Sequence, residues 1–194
     1  MFYDGDIKNK KILLHACCGP CSLGAVEPLL SDGADITLYF YNPCITDGEF
    51  ERRLEAIEIV ADHYGLELIV PRHDYAQYLS YARPLGGERE GGARCGLCFR
   101  DRLENAAKYA DENGFDMYST TLTVSPHKNA KAIFDIGGGF DFGAPMLARD
   151  FKKRDGFARS TALSRALGIY RQNFCGCEFS FRAEPKAGAG RAEA

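Results

Sequence analysis

Apolar and polar positions change period several times along the chain, and each change marks an element. The run "KKILLHA", residues 10–16, is short and apolar, with charge before it and Gly19–Pro20 after it, and predicts a buried strand. "SLGAVEPLLSDG", residues 22–33, predicts a helix stopped at Gly33, with Pro28 as a local irregularity. Residues 34–43, "ADITLYFYNP", are aromatic and β-favouring and predict a second strand. A helix follows over 47–65, with apolar positions at Leu54, Ile57, Val60 and Ala61 and a stop at Gly65. "LELIVP", residues 66–71, predicts a third strand.

Farther on, residues 93–115 predict a helix opened by two cysteines and stopped near Gly114, and residues 116–126 a strand with its outgoing loop. Residues 127–140 and 159–170 predict two more helices, and "RQNFCGCEFS", residues 171–180, a compact thiol-bearing segment. Strand and helix alternate, the signature of an α/β fold: a single domain with a parallel sheet flanked by helices. The domain is expected to span residues 1–182. The tail from 183 to 194 has almost no large apolar residue and is expected to be disordered. In such sheets ligands gather at the carboxyl ends of the strands. Cys17, Cys18 and Cys21 follow the first predicted strand, Pro43 and Cys44 the second, and Ser125–Lys128 the fourth, so these loops should meet at one rim.

Composition sharpens that expectation. A chain of 194 residues, 45% hydrophobic, can bury one sizeable core. No apolar run is long enough to cross a bilayer, and the opening residues lack the apolar stretch of an export signal. A cytoplasmic protein without a membrane partner is the resulting expectation, and there a disulfide framework is disfavoured. The eight cysteines then point to metal ligation or redox chemistry. The net charge of −3 argues against indiscriminate nucleic-acid binding, yet residues 149–171 carry seven basic and two acidic side chains, a local +5. Lys152, Lys153 and Arg154 are the candidate phosphate contacts within that stretch. A solvated helix face is the alternative.

The thiols fall into four groups: Cys17, Cys18 and Cys21; Cys44; Cys95 and Cys98; Cys175 and Cys177. The two-residue gap of "CGLC" lets both thiolates reach one metal or cluster. "CGC" can do the same on a tightly turned backbone. Four cysteine ligands suit zinc and iron–sulfur clusters alike, and eight thiols could make two structural zinc sites. "CGPC" at Cys18–Cys21 also matches a thioredoxin-type redox pair. Cys17 beside Cys18 makes sense if two centres lie side by side, the neighbouring side chains diverging towards different ions.

Other residues carry possible chemistry. His127 and Lys128, on the loop after a predicted strand, could donate to a leaving oxygen or hold phosphate. "SPHKN" lacks the spacing of a P-loop, and Gly137–Gly139 reads as a helix-ending turn. Tyr39, Tyr41 and Tyr170 could stack on an unstacked base; packed tyrosines are the competing reading. Asn42 and Asp47 are rim or turn residues.

The motifs "LLHACCGPCS", "FYNP", "RCGLCFRDRLE", "TTLTVSPHKNA", "FKKRDGFARS" and "GIYRQNFCGC", in this order, resemble the QueH family of epoxyqueuosine reductases from about Lys11 to Ser180. The resemblance implies a HUP-like (adenine nucleotide alpha hydrolase-like) fold. It implies reduction of epoxyqueuosine at the wobble position of tRNA to queuosine, with a four-iron, four-sulfur (4Fe-4S) cluster and an additional mononuclear iron. Cluster binding is then expected of Cys17, Cys18, Cys95, Cys98, Cys175 and Cys177, and metal ligation of these six together with Cys21, where some family members have aspartate. A cellular electron donor such as ferredoxin or flavodoxin is implied as a partner, and His127 and Lys128 are the catalytic candidates. Where this chain reads "YNPCI", relatives more commonly read "YNPNI", so Cys44 is expected to replace a polar rim residue rather than add an eighth ligand. The competing expectation is a non-catalytic, zinc-stabilised nucleic-acid-binding module.

Overall fold

The computed structural model describes residues 1–153 and 155–180. Arg154 and the tail expected to be disordered lie outside the described residues. Six strands form one sheet: β1 (Phe2–Tyr3), β2 (Lys11–His15), β3 (Asp35–Tyr39), β4 (Glu67–Ile69), β5 (Met117–Thr120) and β6 (Met146–Leu147), in the order β1-β6-β5-β2-β3-β4. Every pairing is parallel; β2 meets β3 from Lys11↔Asp35 to His15↔Tyr39 and β5 from Ile12↔Met117 to His15↔Thr120.

Parallel strands need crossover connections, and helices supply them. α1 (Gly19–Ser31), α2 (Asp47–Tyr64) and α6 (Gly156–Ala166) cover one face, while α4 (Ala93–Glu112) and α5 (Ala130–Gly137) cover the other, with α3 (Tyr75–Ala82) packed on α4. Alternation along the strands divides the core accordingly. Ile12, Leu14, Ile36 and Leu38 join Leu23, Val26, Ile57 and Val60 on the first face. Leu13 and Tyr39 join Leu103, Ala106, Ala107 and Ile133 on the second. Among the described residues no helix is long and apolar enough to cross a membrane.

α2 matches its predicted span to within a residue. Asp47 and Glu49 sit in its first turn and His63 in its last, both favourable to the helix dipole, and Gly65 closes it at φ 63°. α1 starts three residues earlier than its pattern predicts, because Cys18 caps it: the Cys18 Sγ accepts from the Cys21 N–H at 3.4 Å, and Pro20 fits the first turn. The predicted strand over 116–126 is β5 followed by a 3-10 turn at Thr121–Val124. β1, β6 and α3 have no counterpart in the hydrophobic pattern. The first two are only two residues long, and α3 is two turns of tyrosine-rich sequence that Asp74 caps by accepting from the Gln77 N–H at 2.9 Å.

Candidate active site: thiols around a cationic cleft

Strand order reverses about β2. The chain proceeds outward through β3 and β4 on one side and through β5 and β6 on the other. Loops leaving the carboxyl ends of β2 and β5 therefore part in opposite directions and open a crevice. A cleft of about 440 Å³ lies there, walled by Cys17 and Cys21, by His127 and Lys128, and by Cys175, with Arg53 and Arg102 beneath. The expected convergence of the loops after β2 and β5 is thus present.

Hydrogen bonds set the first loop. His15 is fully buried, with Nε2 3.0 Å from the Tyr41 carbonyl and Nδ1 2.9 Å from the Thr120 hydroxyl. A carbonyl only accepts, so Nε2 carries the proton and Nδ1 accepts from Thr120. Burial first, and then the Arg102 charge, hold the pKa of His15 down at about 4. Asn42 turns inward rather than onto a rim, its Nδ2 donating to the Ala16 carbonyl at 2.9 Å. One residue later the Cys17 N–H donates to the Thr121 hydroxyl at 3.0 Å, and that hydroxyl donates back to the Cys17 Sγ at 3.3 Å.

The sulfur atoms of Cys17, Cys18 and Cys21 all lie within 4.8 Å of one another, those of Cys17 and Cys18 at 3.9 Å. Neighbouring side chains do not diverge towards different ions here; they converge on one point, because the helix cap turns Cys18 back over its own first turn. Among the described residues no other set of three His, Cys, Asp or Glu groups gathers so tightly. Hydrogen bonds from Cys18 and Cys21 hold the Cys17 thiol well below its ordinary value. Conversely, Cys18 is pushed up to about 11 by its bond to Cys17, and Cys21 is also raised. Within the trio these hydrogen bonds favour negative charge on Cys17 over its two neighbours.

A second thiol group lies beneath the first. Cys98, in the second turn of α4, is hydrogen-bonded to Cys44, and Arg102, one turn on, donates to the Cys44 Sγ. The Cys98 bond, followed by the Arg102 charge against the cost of burial, brings the Cys44 thiol down to about 6, while the same bond and burial push Cys98 well up. Cys44 is completely buried; the expectation of a polar rim residue there is incorrect. It packs inside because the chain turns down after β3 to place Ile45 and Phe50 in the core. Cys177 is buried against the Tyr78 hydroxyl, and Cys175 and Cys95 are half-buried. All eight cysteines are free thiols.

The C-terminal thiols are fixed by an arginine absent from the sequence-based candidates. Arg53 is 2% exposed. It pairs with Glu49 at 2.6 Å and donates to the carbonyls of Cys175 at 3.0 Å and Phe174 at 3.4 Å. Gly176 stands at φ 108° against Arg53 and Ile45, a turn only glycine makes easily. Lys128 is half-buried; burial opposes its charge, yet Cys175, Cys17 and Cys21 together raise its pKa above the ordinary lysine value. His127 is exposed on the cleft wall. The basic segment divides. Lys152 pairs with Asp150 at 2.9 Å and Arg149 with Asp32 at 2.6 Å. Lys153 lines a separate groove of about 690 Å³, whereas Phe157 and Arg171 face the thiol cleft. Arg154 lies outside the described residues.

The family model described as epoxyqueuosine reductase QueH matches residues 12–183. Proteins of that name from Staphylococcus epidermidis (36% identical, covering 92% of this chain and 79% of the relative) and Thermotoga maritima (34% identical, covering 87% and 89%) are among its relatives. A third, from Streptococcus pyogenes, is 37% identical over 89% of this chain and 71% of the relative. In fold, the chain is similar to the U34-tRNA thiolase NcsA from Methanococcus maripaludis with its 4Fe-4S cluster, at a TM-score of 0.54 and 14% identity. That likeness covers 90% of this chain and 62% of the thiolase. With its thiol-lined crevice at the point where a parallel sheet reverses order, the chain belongs to the QueH family of epoxyqueuosine reductases and is an oxidoreductase.

Proposed function

We propose that this enzyme reduces epoxyqueuosine at the wobble position of a tRNA to queuosine, using a 4Fe-4S cluster and an additional mononuclear iron. The observation that carries the iron assignment is the three-thiol group at Cys17, Cys18 and Cys21, gathered within 4.8 Å. Soft, closely spaced sulfur donors suit iron–sulfur and related thiophilic metals. Cys95, Cys98, Cys175 and Cys177 are the further donors proposed for the pair of centres. The sheet order, reversing about β2, supports the HUP-like assignment, and a ferredoxin- or flavodoxin-class donor is the proposed electron source.

The net change is loss of the epoxide oxygen as water and formation of a carbon–carbon double bond, with uptake of two electrons and two protons. When bound, the iron centres supply the electrons and Lewis acidity. The protein's own groups manage charge and protons. As the C–O bonds break, negative charge develops on oxygen, and Lys128, a cation facing the cleft, offsets it. His127, exposed at the same wall, can hand a solvent proton to that oxygen. Arg53 and Arg102, buried beneath, balance the thiolates and hold the two thiol-bearing segments in register. Lys152, Lys153 and Arg154 are proposed to meet the tRNA backbone.

Anaerobic purification followed by iron and sulfide analysis, with Mössbauer spectroscopy of iron-57 protein, tests the assignment. A brown protein with four-iron and mononuclear signals, and turnover of epoxyqueuosine tRNA, is expected. Zinc alone, in colourless protein without turnover, would reject it. A four-iron signal with no further metal would reject the second centre.

A further inference from the structure

The cleft that holds the thiols has one wall without an obvious task. Phe157, the second residue of α6, is 43% exposed and lines the cleft together with Cys21 and His127. The backbone entering α6 is closely packed, for a side chain on the preceding Gly156 would strike the Phe151 carbonyl. Gln172 lines the same cleft, and its Oε1 has no hydrogen-bond partner within the protein. An unpaired amide oxygen costs free energy that an incoming donor would recover. The remaining aromatic candidates are already engaged. The Tyr39 hydroxyl donates to Asn105 and the Tyr41 hydroxyl to Asp101, and both rings are buried. The Tyr170 ring carries the Arg52 guanidinium 3.8 Å above its centroid.

An exposed ring and an unpaired acceptor lining one thiol-walled cleft match one ligand chemistry. The ring offers a stacking surface for a base taken out of the anticodon stack. The amide oxygen accepts from an N–H on the edge of a guanine-like base. Resting on the proposed tRNA reaction, we infer that the flipped wobble base is received between Phe157 and Gln172, stacked on the first and read by the second, so that its epoxide-bearing substituent reaches the thiol end of the cleft.

Anisotropy titrations with two anticodon stem-loops test this, one carrying guanosine at the wobble position and one abasic there. Wild-type protein should bind the guanosine loop about tenfold more tightly than the abasic loop, as base–aromatic stacking commonly gives. Phe157→Ala should bind both loops equally, at the level of the wild type with the abasic one, and Phe157→Tyr should restore the difference. Gln172→Leu should lose part of it. Iron content and visible spectrum should match wild type in all three variants. A Phe157→Ala protein that still favours the guanosine loop tenfold would overturn the inference, as would wild-type protein indifferent to the missing base. If Phe157→Ala does not fold, Gln172→Leu and Phe157→Leu carry the same comparison. Wild-type protein, iron-loaded, that fails to reduce epoxyqueuosine tRNA would instead count against the reaction itself, whatever the stem-loops show.

Discussion

His15 shows how one buried side chain ties the sheet to its reactive loop. Its imidazole stays neutral in the fold down to about pH 4, against an ordinary value of 6.5. Between those values the unfolded chain takes up a proton that the native state refuses, so stability falls as pH drops through the window and is unaffected above it. The shift corresponds to about 3 kcal/mol at full expression. Urea unfolding of the metal-free protein should show this decline from pH 6.5 to 4. His15→Gln should flatten the slope while lowering stability throughout; an unchanged slope would show that other groups govern it. At this scale the sequence was legible for the grouping of Cys17, Cys18 and Cys21 on one loop, but not for the convergence of Cys17 and Cys18. It misplaced Cys44 on the rim and was silent on Arg53. Burial of a thiol beside an arginine is a tertiary outcome, decided by how the chain turns after β3 and not by neighbours in sequence. Phe157 escaped notice for the opposite reason, since exposure of an aromatic leaves no local pattern.

Among the elements, α1 does two jobs: it packs against α2 and α6, and its first turn presents Cys18 and Cys21. Gly19 makes both possible, because a Cβ there would lie 2.5 Å from the Ala56 carbonyl. Gly19→Ala should force α1 away from α2 and cost about 1–3 kcal/mol, as overpacking does, read as a lower urea midpoint. Displacement of the capping Cys18 should also lower the bound iron per chain; retention of wild-type iron would show that the cap tolerates the shift. The C-terminal turn offers a parallel case. Gly176→Ala meets both an unfavourable φ of 108° and the Arg53 guanidinium, and should reduce iron content more than overall stability. Long periodic elements such as α2 were legible because an 18-residue amphipathic stretch with matched ends leaves no competing reading. The two-residue strands β1 and β6 were not, since their pairing is imposed by the sheet beside them.

For the molecule as a whole, the distribution of charge decides how a polyanion would approach. Net charge is −3, yet cations line the cleft and the groove beside it. Reversing Lys152, Lys153 and Arg154 together should raise the apparent tRNA dissociation constant at low salt and flatten its salt dependence, with the iron spectrum unchanged. Because Lys152 is already paired with Asp150 at 2.9 Å, Lys153→Glu alone should account for more of the effect than Lys152→Glu. Equal affinity across a salt series would remove this surface from consideration. The α/β class and the rim of converging loops followed from strand–helix alternation. Which basic residues face the cleft did not, because helix α6 presents its two faces to different grooves.

The thiol rim is drawn from segments far apart in the sequence. Cys17 leaves the first long strand, whereas Cys175 follows the last helix, and Arg53 and Lys128 reach the latter from between. Such a site is completed late. During synthesis the strands β2 to β4 and their helices can pair as they emerge, N-terminal parts first. Closing the loop that brings Cys175 to Cys17 must wait for the segment after α6 and carries the entropy of a long closure. Until then Cys17, Cys18 and Cys21 stand as an unfinished nest of reactive sulfur. A metal meeting the first loop alone would find three thiols and no enclosure, so loading would follow docking of the Cys175 segment on Arg53, when the cleft acquires its second wall.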